Sequence, residues 1–433
     1  MASVLFWFRN DLRMHDQPAL AAAVAAAGTG HLLPVFCLPP TDQATAWGFQ
    51  RVGERRQQAL AQCLRDLTAQ LAALGCPLLL CHGPAATTLP ALAAALAIDR
   101  VVCEDIAAPE EQAEVAALRA AGLAVTTVWQ SSLFDPARLP WPVAELPASF
   151  TPFRQKLERA GAQPVAPLAA PARLPSWPPA ATIPAHLRAD LAGALADAAV
   201  DARSSLIAGA VSVNGGETAG LAQLARYLDG PLPATYKETR NQLSGFDYSS
   251  KWSVWLASGA VSARRVVAEL RQYEAQHGAN DGSYWLWFEL LWREYFRLLH
   301  LQYGRALYRA RGLNRETPVS HNRQGFARWC EGRTGEGLVD AAMRELAATG
   351  YLSNRLRQVV ASYLIYDLGG DWRAGAAWFE SQLIDYDVYS NQGNWLYIAG
   401  RGTDPRGGRR FNVTKQTADH DKNGAYRRLW SAD

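Results

Sequence analysis

Residues 381–400 read SQLIDYDVYSNQGNWLYIAG and place two carboxylates and an amide among large apolar and aromatic side chains. These polar members are Asp385, Asp387 and Asn391. A buried carboxylate without a partner is costly, so the protein's own arginines, a metal ion or a bound polar molecule must meet them. A calcium loop is disfavoured because position five is Tyr389 and no glutamate follows at position twelve. Arginines or a polar organic ligand remain.

A second candidate lies in the helical pattern YWLWFELLWREYF. Trp285, Glu289, Trp292 and Phe296 are spaced i, i+4, i+7 and i+11, which places them on one stripe of a helix. The glutamate in this aromatic stripe could pair with Arg293 one turn later. It could instead accept hydrogen bonds from a ring N–H of a base or cofactor, with Trp292 stacking beside it. The spacing leaves both interpretations open.

A third group of polar residues lies in the helical pattern SNRLRQVVASYLIYDL. Asn354, Arg357 and Gln358 share one helix face there. Arg357 could neutralise Asp385, whereas an asparagine at a helix start is often only a cap.

Hydroxyls and a lysine precede another predicted helix in FDYSSKWSVWLASG. They are Ser249, Ser250, Lys251 and Ser253. Hydroxyls and free N–H groups at a helix start suit a phosphate, and an N-cap with spare serines is the simpler alternative.

The elements that must position these residues differ between the two halves of the chain. Residues 1–130 alternate helical patterns with five apolar runs: SVLFWFR, HLLPVFCL, PLLLCHG, RVVCED and AVTTVW. This alternation predicts an N-terminal α/β domain with a five-stranded parallel doubly wound sheet. The first run is followed by RNDLRMHD without G-x-G-x-x-G, which disfavours ordinary NAD binding.

Residues 131–200 are rich in proline and alanine and predict an interdomain linker that crosses the surface without forming a packed element. Beyond residue 200 the strand signal disappears. Long helical patterns then predict a larger all-α domain over residues 201–433, which contains ten of the fifteen tryptophans.

Composition limits the compartment and the partners. Six scattered cysteines without a C-x-x-C pair, and a start too charged for a signal peptide, predict a cytoplasmic protein without a zinc site. No run reaches the roughly 18 apolar residues of a membrane span. Residues 1–150 carry 9 Arg against 13 Asp and Glu, whereas the remainder carries 34 Lys and Arg against 27 Asp and Glu. The basic C-terminal part is compatible with nucleic acid, and we expect a monomer.

Taken together, seven stretches resemble the cryptochrome/photolyase family, and within it the DASH cryptochromes. They are WFRNDLRMHD, TYKETRN, WFELLWREYFR, GRTGEGLVDAAMREL, SNRLRQVVASYLIYDLGGDW, SQLIDYDVYSNQGNW and DPRGGRRFNVTKQ. The resemblance implies a U-shaped FAD in the helical domain and repair of cyclobutane pyrimidine dimers by an electron from excited reduced flavin. It favours single-stranded DNA as substrate, since Gln358 follows the DASH pattern. The alternative is a blue-light photoreceptor that binds FAD and DNA with little repair.

The resemblance also implies residue roles, which we carry over position by position. FAD would be held by Tyr236, Ser249, Ser250, Lys251, Trp252, Ser253, Glu289, Arg293, Asn354, Arg357, Asp385, Tyr386, Asp387 and Asn391. Repair and electron supply would use Glu289, Trp292, Asn354, Asn391, Trp395 and Trp372. DNA would be contacted by Arg240, Glu289, Trp292, Arg355, Gln358 and Tyr397.

Four of these implied roles are specific enough to compare with a structure. Trp292 and Tyr397 would flank the lesion on two sides. Trp395 and Trp372 match the first two members of a tryptophan electron-transfer chain, whose third member, expected near residue 319, is not matched. Trp329 is interpreted as structural.

A second pigment is implied for the α/β domain, where relatives often bind 5,10-methenyltetrahydrofolate as an antenna. Glu111 is the residue predicted to hold it. An acid at this helix start could equally interact only with the helix dipole.

Overall fold

Strands and helices alternate through the first half of the computed structural model, which describes residues 3–178, 183–191, 201–208, 211–314 and 320–432. The elements of this half are β1 (Ser3–Trp7), α1 (Pro18–Ala27), β2 (His31–Leu38), α2 (Glu54–Ala73), β3 (Leu79–His82), α3 (Ala85–Leu96), β4 (Arg100–Glu104), α4 (Pro109–Ala120) and β5 (Ala124–Val128). All five strands pair in parallel in the order β3-β2-β1-β4-β5. The predicted five-stranded parallel doubly wound sheet is confirmed.

Alternation along the central strand explains why helices cover both faces of the sheet. Leu5 lies opposite Leu33 of β2 and Val101 of β4, and these residues form a core on one face. Val4 and Phe6 point to the other face, where they form a separate core. Successive side chains of a strand alternate between faces, so a strand that is apolar throughout requires this double cover.

The connector between the halves is more than a surface crossing. Helix α5 (Phe150–Arg159) lies within it, and Phe150, Phe153 and Leu157 are buried in the core of the helical half. The prediction that residues 131–200 form no packed element is therefore wrong for this stretch. Its apolar residues recur at i, i+3 and i+7, a helical spacing that the surrounding proline and alanine obscured. We keep the predicted domain boundaries, residues 1–130 for the α/β domain and residues 201–433 for the helical domain, as a proposal.

The second half is mostly helical, as predicted. Its helices are α6 (Glu217–Leu228), α7 (Leu232–Thr239), α8 (Ser253–Ser258), α9 (Ala263–His277), α10 (Asp281–Tyr303), α11 (Arg323–Cys330), α12 (Gly337–Thr349), α13 (Asn354–Tyr366), α14 (Trp372–Gln382), α15 (Val388–Ala399), α16 (Val413–His420) and α17 (Ala425–Leu429). Two-residue strands β6 (Ile207–Ala208) and β7 (Val211–Ser212) pair antiparallel before them. The expectation of no strand beyond residue 200 missed this pair, because two residues show no periodicity. No helix in the described ranges is long and apolar enough to cross a membrane.

The RNDLRMHD segment after β1 joins the two halves. Asp16 pairs with Arg264 at 2.9 Å, and His15 pairs with Glu217 at 2.5 Å, all four being at least nine-tenths buried. Arg13 donates to the Gly259 carbonyl at 2.9 Å. A buried ion pair keeps its partners in register, because separating them leaves a charge unpaired. In dinucleotide-binding folds the segment after the first strand forms a phosphate-binding loop. Here the same segment forms the contact between the two halves of the chain, which we call the interdomain seam.

Candidate functional site

One large cavity opens in the helical half, with a volume of ≈ 1920 Å³ including its mouth. Its walls come from α7, α8, α10, α13, α14 and α15 and from the segments that precede α8, α13 and α15. Every predicted FAD residue from Tyr236 to Asn391 lines it, although these residues are dispersed over five segments of the chain. The fold therefore assembles a single site from the predicted set.

The first carboxylate of the SQLIDYD tract is met by an arginine. Arg357 Nη2 donates to Asp385 Oδ2 at 2.8 Å, and Arg357 Nε donates to the Leu352 carbonyl at 2.9 Å. The Asp385 side chain is only 1% exposed. Its second oxygen, Oδ1, is buried and accepts no hydrogen bond from any described residue. The predicted pairing with Arg357 is present, and one acceptor on the cavity wall remains available to a ligand.

The second carboxylate is satisfied within the protein. Arg297 Nη2 donates to Asp387 Oδ2 at 2.5 Å, and Asp387 caps α15 by accepting from the Ser390 N–H at 2.7 Å. Burial would raise the pKa of Asp387, but the guanidinium groups of Arg297 and Arg293 outweigh it and lower the pKa to about 2. Arg297 was not among the predicted site residues. Its position one turn after Arg293, in REYFR, is the only signal in the sequence.

Lys251 is the most unusual cation of the site. It adopts a left-handed backbone with φ of 59° and is 2% exposed, and its Nζ has no acceptor among the described residues. The Tyr248 ring lies 3.5 Å from Nζ, and burial lowers the pKa of the ammonium well below its usual value. A left-handed backbone costs about 1–2 kcal/mol at a residue with a Cβ, and such strain clusters at functional sites. An anionic ligand such as a diphosphate would supply the missing acceptor.

Glu289 does not pair with Arg293. Its carboxylate accepts from Arg240, whose guanidinium also lies 4.1 Å above the Trp285 ring. Arg293 instead donates to the Ser131 carbonyl at 2.8 Å, because it points toward the interdomain seam. Burial raises the pKa of Glu289 and the Arg240 charge opposes that rise. With a third of its side chain exposed at the cavity mouth, Glu289 can exchange Arg240 for an incoming ligand.

Asn354 is not a cap. Ser353 is the N-cap of α13 and accepts from the Leu356 N–H at 3.4 Å, so Asn354 is the first residue inside the helix. Its side chain is exposed to the cavity and hydrogen-bonds to no other described residue. Gln358, one turn later, lines the same wall. The Asn354 amide is therefore available to a ligand, whereas the Gln358 amide oxygen already accepts from Arg355 Nη1 at 3.5 Å.

The two aromatic residues predicted to flank a lesion touch each other. The Trp292 and Tyr397 rings lie 5.6 Å apart at 66°, so they form two sides of a corner rather than a slot. The other face of Trp292 stacks on Phe150 at 3.9 Å and 9°. A base can therefore stack on only one face of Trp292. Phe150 belongs to the predicted linker, and nothing in the sequence connected it to this site.

The remaining predicted residues differ in their relation to the cavity. Trp395 lines it and is 2% exposed. Trp372 does not line it and donates its indole N–H to the Ala310 carbonyl at 2.9 Å. Arg355 also lies off the cavity wall and donates to Asn241 at 2.9 Å. Residue 319, near which the third electron-transfer member was expected, lies outside the described residues.

Glu111 does not line this cavity and lies in the first turn of α4. Burial raises the pKa of its carboxyl group. Its backbone carbonyl accepts from Arg9 Nη2 at 3.1 Å. These contacts tie Glu111 to the carboxyl ends of the strands, the edge at which doubly wound sheets bind ligands.

The polar groups of the cavity fit a flavin dinucleotide. Lys251 and the serines around it can meet a diphosphate, and Asp385 Oδ1 and the Trp252 indole N–H are buried without partners among the described residues. Buried polar groups of native proteins are nearly always hydrogen-bonded, so unpaired donors and acceptors on one wall indicate a polar ligand.

The chain is similar to known proteins over both halves. Residues 285–432 match the family model described as the FAD binding domain of DNA photolyase, and residues 4–172 match the model described as DNA photolyase. A Cryptochrome DASH of Gloeobacter violaceus is 42% identical, over 99% of this chain and 85% of that protein. A Synechocystis sp. cryptochrome structure is 40% identical with a TM-score of 0.91, over 99% of this chain and 88% of that chain. A class III photolyase from Agrobacterium tumefaciens is 29% identical with a TM-score of 0.80, over 99% and 86% of the two chains.

Proposed function

Because the chain belongs to the cryptochrome/photolyase family, we propose that it is a DASH-type, FAD-dependent photolyase that repairs cyclobutane pyrimidine dimers in single-stranded DNA under blue light. One observation carries this proposal. A single cavity combines buried polar atoms that have no partner in the described part of the chain, at Lys251 and Asp385, with an exchangeable carboxylate and an aromatic corner at its mouth.

The inner residues would bind and orient the cofactor. Lys251 and the neighbouring hydroxyls would hold the diphosphate, and Asp385, kept in place by Arg357, would accept a hydrogen bond. FAD, when bound, supplies light absorption and the electron that splits the dimer. The apolar wall from Phe296 to Trp395 would exclude water from the reacting bonds.

The residues at the mouth would bind the lesion. Trp292 offers one free face for stacking, and Tyr397 closes the corner beside it. Glu289 would accept a hydrogen bond from a ring N–H of the dimer in place of its bond with Arg240. A dimer has to leave the DNA stack to reach this corner, at a cost of a few kcal/mol that is smallest in a single strand.

Purified protein tests the proposal directly. We expect a flavin absorption spectrum and light-dependent repair of a dimer-containing single-stranded oligonucleotide, with slower repair of the matched duplex. A methenyltetrahydrofolate band, lost in Glu111→Gln, would support the proposed antenna.

DNA binding and repair are measured side by side at several salt concentrations, because binding alone depends steeply on salt. The comparison shows whether DNA that is bound is also repaired. Flavin and DNA binding without repair would favour the photoreceptor alternative, and protein that cannot be loaded with FAD would exclude both functions.

The Tyr397→Trp variant is expected to improve repair of duplex DNA relative to single-stranded DNA. A larger ring would add stacking at the corner, and base–aromatic stacking contributes roughly 1–3 kcal/mol per base. Extraction from a duplex needs this energy most, so the duplex-to-single-strand ratio of repair rates should rise. Tyr303→Trp, a tyrosine of α10 that does not line the cavity, is the control. An unchanged ratio would show that residue 397 does not set the preference.

A further inference from the structure

Repair by the proposed function requires electrons to reach a cofactor in a mostly buried cavity. Trp395 carries an oxidisable indole on the cavity wall, but it is 2% exposed. A reductant in solution therefore cannot reach it directly. Trp372, the second predicted member of the chain, is also 2% exposed. The described structure must connect one of these indoles to the surface.

A continuous row of aromatic rings leads from Trp395 to the surface. Ring centroids lie 6.4 Å apart between Trp395 and Trp329, and 6.0 Å apart between Trp329 and Phe326. The row continues over 5.4 Å from Phe326 to His321 and over 4.9 Å from His321 to Trp47. Each pair is within the range of direct aromatic contact. Trp47 is half-buried, so this end of the row reaches solvent.

We propose that Trp47 is the surface electron donor of this protein and that Trp329 relays between it and Trp395. This inference rests on the proposed function. Trp395 gives one electron to the light-excited oxidised cofactor, Trp329 refills Trp395, and Trp47 refills Trp329. Trp47 then releases its indole proton to water, and a thiol in solution returns one electron and one proton to it. Phe326 and His321, whose rings are much harder to oxidise, only bridge the two tryptophans.

The surroundings of Trp47 suit the last step. Arg373 lies 5.9 Å from the centroid of its ring and is itself paired with Asp371 at 2.6 Å, so the two neighbouring charges largely cancel. Because the Trp47 ring is partly exposed, its indole proton can pass to water once the ring is oxidised, which slows return of the electron. His321 Nδ1 accepts from the Asp371 N–H at 3.3 Å, and burial lowers the pKa of the imidazole, so the bridge stays uncharged.

The position explains why the sequence showed no third member. Trp47 comes from the loop between β2 and α2, in the α/β half, whereas the member was expected near residue 319. That stretch, residues 315–319, reads RETPV and contains no aromatic residue. The loop is anchored on the helical half by Arg51, which pairs with Glu380 at 2.7 Å, and by Phe49, 5.0 Å from Trp378.

The test compares Trp47→Phe with Trp177→Phe, a half-buried tryptophan of the α/β half with no ring contact among the described residues. Under blue light with dithiothreitol, cofactor reduction in Trp47→Phe should slow by about tenfold or more, as in Trp329→Phe, while Trp177→Phe reduces at the wild-type rate. Trp47→Tyr keeps an oxidisable ring and should recover part of the rate. Thermal unfolding and cofactor content should be unchanged in the Trp47 and Trp177 variants. Trp329→Phe loses the bond from the buried indole N–H to the Val360 carbonyl and should be less stable, so its reduction rate is compared per bound cofactor.

A second readout does not depend on reduction or repair. Illumination in air should leave oxidised tryptophan at position 47 in peptide mass spectra of the wild type, and not at position 177. Reduction of Trp47→Phe at the wild-type rate, with oxidation products elsewhere, would overturn the inference.

Repair by dithionite-reduced protein separates the two proposals. Normal repair by pre-reduced Trp47→Phe, together with slow photoreduction, supports both. Pre-reduced wild-type protein that repairs nothing overturns the proposed function, and the reduction rates still decide the role of Trp47.

Discussion

Arg357→Met is expected to yield protein that is purified without flavin and whose free energy of unfolding is lower by about 3–5 kcal/mol. The Asp385 side chain is 1% exposed, and Arg357 is the only described residue that hydrogen-bonds to it. Removing the guanidinium leaves a buried carboxylate with no partner. The cavity wall that this pair holds in place should then lose its affinity for the cofactor.

The difference in free energy of unfolding is measured by urea unfolding of wild type and variant after FAD has been removed from both. Bound FAD would otherwise add its own stabilisation. Arg333→Met is the control. Arg333 pairs with Glu331, and these side chains are 69% and 48% exposed. An exposed pair contributes at most about 1 kcal/mol. Asp385→Asn in the Arg357→Met background should restore part of the stability, because it removes the unpaired charge. An Arg357→Met protein that keeps its flavin would refute the assigned role.

Glu289→Ala is expected to slow light-driven repair on the order of 10²-fold while the flavin content stays at the wild-type level. The carboxylate lies at the cavity mouth, paired only with Arg240 among the described residues, so its loss exposes no buried charge. Glu289→Gln keeps a neutral acceptor and should retain more activity than the alanine variant. The difference between the two variants measures how much of the effect is hydrogen bonding rather than charge.

A closely matched control is available for this prediction. Glu158 pairs with Arg154 at 2.6 Å, and their side chains are 31% and 19% exposed, against 33% and 21% for Glu289 and Arg240. Glu158→Ala removes an ion pair of the same exposure away from the cavity, so repair should be unchanged. If Glu289→Ala loses its flavin, Glu289 contributes to cofactor binding rather than to lesion binding, and the role assigned to it is wrong.

Arrangements that depend on local periodicity were predictable from the sequence. The five apolar runs became the five strands, because strands buried on both faces are apolar throughout. The spacing of Asn354, Arg357 and Gln358 placed all three on the cavity wall, because a helix fixes which side chains share a face. The need of Asp385 for a cation also followed from its apolar surroundings.

The choice of partner was decided only by the tertiary structure. Glu289 pairs with Arg240, 49 residues earlier, rather than with Arg293 on its own helix, and Asp387 pairs with Arg297, 90 residues earlier. Trp47 meets His321 from the other half of the chain. Periodicity specifies the direction of a side chain relative to its own element, but not which distant element packs there. That depends on how all the apolar faces are buried at once, and no short stretch of sequence records it.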